Sequence, residues 1–137
     1  MIQGVGVDMV EVERFDNMKL HFMERVFTPV EIEYASGVAN SRERFAARFA
    51  AKEAFLKAMG TGLRDCRLKD MEVCHDPLGR PFFTFYGNLS RYNDRQRYNV
   101  QLSLSHTRQH AIAYCVIETG ELCCSQPVPH GQHDNTS

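Results

Sequence analysis

The chain has 137 residues, 43% of them hydrophobic and 24% charged, which fits one globular domain long enough to bury a real core. A formal net charge of −1 excludes a global field that would draw in nucleic acid or an anionic membrane, so attraction for an acidic partner must come from a local patch. No apolar run approaches the ~20 residues of a membrane span. The N-terminus lacks a signal peptide's basic start and apolar core, so a cytoplasmic protein is expected. The five cysteines, odd in number and without framework spacing, fit reduced thiols, with Cys115 in an apolar run expected in the core.

Residues 2–8, IQGVGVD, read as a strand ending at Asp8. Gly4 and Gly6 fall on one face, where something could pack or bind close to the backbone. GxG alone is a weak nucleotide signal, and no third glycine follows at the required spacing. A carboxylate where a strand gives way to a helix is commonly a cap, which is the plain reading of Asp8. Residues 9 to about 24 have Val12, Phe15, Met18, Phe22 and Val26 at roughly helical spacing, with Arg14, Lys19, His21 and Arg25 among them. Such a face is usually only solvated, but it can also dock an acidic helix. Thr28-Pro29-Val30-Glu31 is the clearest helix start: Thr28 caps, Pro29 suits the first helical position and Glu31 closes a capping box. That second helix is expected to run to about Ser36.

Residues 42–62, RERFAARFAAKEAFLKAMGTG, predict a long central helix. Asn40 and Ser41 are candidate N-caps, with Glu43 three residues past Asn40, and Gly60 and Gly62 supply the stop. Phe45, Phe49, Leu56 and Met59 gather on one arc at about 100° per residue. Ala46, Ala50, Ala54 and Ala58 spread over the other side, an apolar cover broad enough for burial nearly all round. Yet the helix carries Arg48, Lys52, Glu53 and Lys57. Glu53 and Lys57 at i,i+4 would ordinarily be a surface pair worth a few tenths of a kcal/mol. Buried charges cost several kcal/mol each unless compensated, and a metal ion with an anionic ligand could compensate these.

Beyond Gly62 the pattern changes. MEVCH (71–75) and FFTFYG (82–87), joined by Asp76-Pro77-Leu78-Gly79-Arg80-Pro81, predict a hairpin. Residues 88–99 are polar, with a short helix expected. VQLSLS (100–105) alternates, AIAYCVIE (111–118) is apolar on both faces as a central strand should be, and the turn between them suits an antiparallel pair. His106 follows a strand and Ser105. An imidazole and hydroxyl there could bind phosphate, or serve a hydrolase, although no GxSxG elbow is present. From residue 119 on, a disordered tail is expected. Its Cys123, Cys124, His130 and His133 have a spacing unlike a usual zinc finger, so a zinc site there is not favoured.

GVGVDMVEVERF, RFAAKEAFLKAMGTG and LSLSHTRQHAIAYCVIE, in this order, resemble the holo-acyl-carrier-protein synthase branch of the phosphopantetheinyl transferases. The resemblance covers residues 1–118 and leaves the tail outside. It implies an α+β fold, with a small antiparallel sheet packed on the long helix, in homotrimers with active sites at subunit interfaces. It also implies magnesium-dependent transfer of the phosphopantetheine arm of coenzyme A to a serine of apo acyl carrier protein. By match to the family motifs, Asp8 and Glu53 are the metal ligands and Lys57 lies beside the diphosphate. Arg48, Lys52 and His106 match positions near the coenzyme's phosphates, with Arg44 a weaker candidate for the 3′-phosphate. Gly79, Arg80 and Pro81 match the turn flanking the adenine. Arg14, Met18, Phe22 and Arg25 match the face that receives the carrier protein. A non-catalytic coenzyme A or nucleotide-binding module, and a magnesium phosphoanhydride hydrolase, remain the alternatives.

Overall fold

The computed structural model describes residues 1–120, and within them two antiparallel sheets lie against one long helix. Strands β1 (Ile2–Glu11), β4 (Tyr98–His106) and β5 (His110–Thr119) form the first sheet in the order β1-β5-β4, with β5 central as its apolar sequence predicts. β2 (Met71–His75) and β3 (Pro81–Phe85) form the expected hairpin. Helices α1 (Leu20–Val26), α2 (Pro29–Ala35) and α3 (Ser41–Met59) complete the chain in its α+β class.

α3 is the element everything else covers. Its alanines, with Phe45, Phe55 and Leu56, are buried. On one side it meets Ala111, Ala113, Cys115 and Ile117 of β5. On the other, Phe55 sits with ring centroids 5.5 Å from Phe83, 4.9 Å from Phe85 and 5.2 Å from Tyr92. The glycines of β1 explain how closely strand and helix approach: a Cβ on Gly4 or Gly6 would collide with the backbone carbonyl of Ala58 or Ala54. The space that glycines leave open is therefore filled by the helix itself. Gly60 ends α3 in the left-handed conformation, φ 87°.

The N-terminal third departs from expectation. β1 does not stop at Asp8; Met9, Val10 and Glu11 pair with Ile112, Ala111 and His110, and Val12 N donates to Gln109 O at 2.9 Å. Ladder bonds to β5 override the helical spacing of the side chains. The single helix expected over 9–24 is instead a 3-10 turn at Val12–Phe15, a break, and the short α1. Asn40 occupies the N-cap of α3 without a side-chain capping bond, so the Asn40–Glu43 box does not form. The Thr28–Glu31 box does: Thr28 N donates to Glu31 Oε1 (2.9 Å) and Glu31 N to Thr28 Oγ1 (3.2 Å). Residues 87–93 make a 3-10 helix in the polar stretch.

That capping box opens into a buried polar network. Glu31 and Lys52 are both fully buried, 2.7 Å apart. Lys52 Nζ also donates to Val26 O (2.7 Å) and Leu68 O (2.9 Å), while Glu31 Oε2 accepts from Val73 N (2.7 Å). Glu72 accepts from Thr28 Oγ1 (2.6 Å) and Tyr86 Oη (3.0 Å). α2, α3 and β2 are thus tied together by charge-assisted bonds whose partners are all satisfied.

Candidate active site

Strand β1 and helix α3 bring three of the expected residues together. Lys57 Nζ lies 3.1 Å from Asp8 Oδ1 and donates to Val7 O at 3.0 Å. The ion pair that Lys57 forms is therefore with the strand, across the helix–strand contact that Gly4 and Gly6 allow. Glu53, one turn before Lys57, is half-buried in the same cluster. Burial and the charge of Asp8 push its carboxyl above the ordinary carboxylate range, against the pull of Lys57 and Arg14. Two carboxylates that repel each other thus share Lys57 and Arg14 as their positive neighbours, with burial the larger cause of the Glu53 shift. A shallow depression lined by Glu53, Leu56, Lys57, Gly60 and Leu63 opens beside this cluster. No group of three or more metal-ligating side chains occurs among the described residues. Magnesium asks for less from protein, usually one or two carboxylates with phosphates and water completing its shell.

A second cluster sits on another face of α3. Arg48 is 2% exposed. Its Nη1 donates to Arg44 O (3.1 Å) and its Nη2 meets His75 Nδ1 (3.1 Å). The guanidinium carbons of Arg44 and Arg48 lie 4.3 and 4.1 Å from the Tyr34 ring centroid, and Tyr34 stacks on His75 at 4.9 Å with 9° between planes. Burial holds Arg48 below the usual arginine range, and burial with the two guanidinium charges holds His75 below that of histidine. His75 pairs across the hairpin with Pro81, so the turn carrying Gly79 and Arg80 adjoins this cluster. Asp76 Oδ1 accepts from Leu78 N (2.9 Å) and Arg80 N (2.8 Å), and Gly79 takes φ 86°, which fixes the turn.

Lys52 requires correction. It is not a residue open to a phosphate, because its ammonium is enclosed and gives its three hydrogens to Glu31, Val26 and Leu68. The docking residues need a revised frame as well. Arg14 is on the 3-10 turn and Arg25 on α1, so they do not share one helix, although Met18 and Phe22 lie half-buried between them. The Phe22 ring packs 6.4 Å from Phe15 and 6.3 Å from Phe49, and the Arg14 guanidinium lies 5.5 Å from the Phe49 ring. Arg14 also acts on Glu53, which connects this surface to the carboxylate cluster. His106 ends β4 opposite Ala111, whose other partner is Val10, so it stands two strands across from β1.

Sequence reasoning missed Tyr34 and His75. Neither lies in a recognisable motif, and only the docking of α2 and β2 against α3 puts them beside Arg48. Cys123, Cys124, His130 and His133 lie outside the described residues, as does nearly all of the expected tail.

Residues 4–115 match the 4′-phosphopantetheinyl transferase superfamily. A holo-[acyl-carrier-protein] synthase of Halothermothrix orenii is 42% identical over 125 residues, covering 88% of this chain and 100% of that protein. Among solved structures, the holo-[acyl-carrier-protein] synthase of Neisseria meningitidis superposes with a TM-score of 0.76 at 34% identity, covering 86% of this chain and 99% of the other. The Bacillus anthracis holo-(acyl-carrier-protein) synthase, in complex with CoA (3′,5′-ADP), gives 0.73 at 35% identity over 88% and 99%.

Proposed function

The chain belongs to the 4′-phosphopantetheinyl transferase superfamily, and from that premise we propose that it acts as a holo-[acyl-carrier-protein] synthase. It moves the phosphopantetheine arm from coenzyme A to a serine hydroxyl of apo acyl carrier protein and releases adenosine 3′,5′-bisphosphate. The observation that carries this reading for the chain itself is the convergence of Asp8, Glu53 and Lys57 from two elements, within a sequence that matches such synthases over nearly their whole length.

In the reaction the serine oxygen bonds to the phosphorus that bears the pantetheine arm, and the bond from that phosphorus to the bridging oxygen of the diphosphate breaks. Glu53 accepts the serine proton, a task suited to a carboxyl held above its usual range. Lys57 offsets negative charge on the departing phosphate and can return a proton to it. Asp8, 3.1 Å away, fixes where the Lys57 ammonium stands. Asp8 and Glu53, neighbouring carboxylates from two elements, would hold magnesium, which when bound would neutralise the diphosphate and hold its oxygens in line.

The acceptor meets the enzyme at Arg14, Met18, Phe22 and Arg25, where exposed arginines flank half-buried apolar side chains. Arg44, Arg48, the Gly79–Pro81 turn and His106 serve the coenzyme's nucleotide end. In a single chain these do not converge on Asp8, which supports sites completed between subunits of a homotrimer. The outer sheet face supports assembly too: Val5, Val7, Met9, Ile112 and Tyr114 are 39–63% exposed, and Val7–Tyr114 and Met9–Ile112 are direct neighbours. No helix among the described residues is long and apolar enough to cross a membrane. Cys66, Cys74 and Cys115 are free thiols, in keeping with a cytoplasmic enzyme.

Mass spectrometry of apo carrier protein, incubated with the enzyme, coenzyme A and magnesium, tests the reading. Carrier gaining the phosphopantetheine mass is expected. Adenosine 3′,5′-bisphosphate released equally without carrier would mean a hydrolase, and coenzyme A binding with no product a binding module.

A further inference from the structure

The Tyr34–Arg44–Arg48–His75 cluster contains more positive charge than it neutralises. Neither arginine ion-pairs with a carboxylate among the described residues, and the Nε atoms of both are buried with no hydrogen-bond partner. The nearby carboxylates are committed elsewhere: Glu31 to Lys52, and Asp76 to its own turn. The cluster reaches solvent through Tyr34, which is 40% exposed, and the half-buried Arg44.

The hydrogen-bond chemistry fixes the state of His75. A guanidinium has donors and no acceptor, so the 3.1 Å contact from Arg48 Nη2 requires the lone pair of His75 Nδ1 and places the ring proton on Nε2. A neutral imidazole on one side, and an aromatic ring 4.1 and 4.3 Å from the two guanidinium carbons, hold two like charges side by side. Assembling them costs energy unless an anion takes both.

We propose that Tyr34 and His75 are positioning residues: they hold Arg48 and Arg44 as a preassembled receptor for a phosphomonoester, the 3′-phosphate of coenzyme A. The inference rests on the reading that this chain uses coenzyme A and that these arginines face its nucleotide end. Arg48 precedes Glu53 by five residues, about 7.5 Å along the helix axis and about 140° around it. The cluster therefore lies apart from Asp8 and Glu53 within one chain, and at the nucleotide end the coenzyme's phosphomonoester is the 3′-phosphate that the family resemblance matches to Arg44. Preorganisation of this kind raises affinity without touching the reacting atoms.

Steady-state kinetics with coenzyme A and with 3′-dephospho-coenzyme A test this, using the full chain and apo carrier protein. Tyr34→Leu and His75→Leu should each raise the KM for coenzyme A about five- to tenfold, in line with loss of one charge-assisted contact. Their kcat should stay within about twofold, and their KM for the dephospho substrate should stay that of the native enzyme. Tyr34→Phe keeps the ring and His75→Asn keeps an acceptor, so both should retain the native preference for the 3′-phosphate. ¹⁵N shifts of the His75 ring should show protonated Nε2 and bare Nδ1 at pH 7. Equal KM changes for both substrates, no change in either, or a proton on Nδ1 would overturn the proposal. If His75→Leu does not fold, Tyr34→Leu at the exposed ring carries the same comparison. Arg44→Ala and Arg48→Ala separate the layers. If they abolish the preference while the Tyr34 and His75 variants keep it, only the positioning role fails; if they too keep it, the nucleotide-end reading of the arginines fails.

Discussion

Lys52 and Glu53 are neighbours in sequence and opposites in environment. Lys52 points into the junction of α2, α3 and β2, fully buried, with three acceptors within 2.9 Å. Glu53, about 100° further round the helix, points to β1, half-buried beside the like charge of Asp8, with Lys57 and Arg14 in partial compensation. The buried charge has its needs met by the fold and nothing left to offer a ligand. The more open charge is held above the ordinary carboxylate range by burial and Asp8, which leaves it able to take a proton or a cation. Burial alone does not mark a functional group; incomplete compensation does.

The comparison breaks most visibly if the open cluster is dispensable. Asp8→Ala and Glu53→Ala should each lower transfer at least about 1,000-fold, some 4 kcal/mol of barrier, while their unfolding transitions stay cooperative. Near-native turnover of either at saturating magnesium would remove the metal assignment. The converse holds for the buried pair. Lys52→Met strands the Glu31 carboxylate and should cost about 3–5 kcal/mol of stability in denaturant unfolding. A variant that unfolded like the native chain and merely lost affinity for coenzyme A would return Lys52 to the site.

Smaller effects sharpen the boundary. Lys57→Ala should lower kcat about 100-fold, as loss of one charge-stabilising donor does, with much less change in coenzyme A affinity; a loss confined to affinity would make Lys57 a ground-state contact. Reversing a docking charge should act on the carrier alone. Arg25→Glu should raise the KM for carrier protein several-fold and leave that for coenzyme A unchanged, and native carrier KM should rise with salt because exposed charges are screened over about 8–10 Å. Arg14→Glu is the less clean variant, since Arg14 also acts on Glu53. Equal shifts in both KM values for Arg25→Glu would move that residue out of the docking surface.

The smallest expected effect concerns His75, whose folded pKa is lowered by burial, Arg48 and Arg44. The unfolded histidine takes up its proton first as pH falls through about 6.5, so protonation there favours unfolding and stability declines on the acid side. His75→Asn should flatten that part of a stability-against-pH profile measured from pH 7.5 to 5. An unchanged slope would mean that His75 accepts a proton without disturbing the arginines.

Local chemistry was legible from sequence wherever one stretch settled it. The Thr28–Glu31 capping box, the glycine stop after Met59, the hairpin turn at Asp76–Arg80 and the central position of β5 all follow from residues close together in the chain. Asp8, Glu53 and Lys57 were joined into one expected site only by the resemblance of their motifs to the family, since taken singly Asp8 reads as a cap and Glu53 with Lys57 as a surface pair. Tertiary structure decided what depends on partners distant in sequence. Helical spacing over residues 9–24 lost to ladder bonds with β5, since each paired residue gains hydrogen bonds that the side-chain pattern cannot foresee. Lys52 and Arg48 look equally available to a phosphate in the sequence. One is spent on Glu31, 21 residues away, and the other is set against Tyr34 and His75, with its surplus charge intact. Periodicity gives the direction a side chain takes from its helix, but the packing of other elements decides what it meets there, and that contact sets whether the charge is structural or chemical.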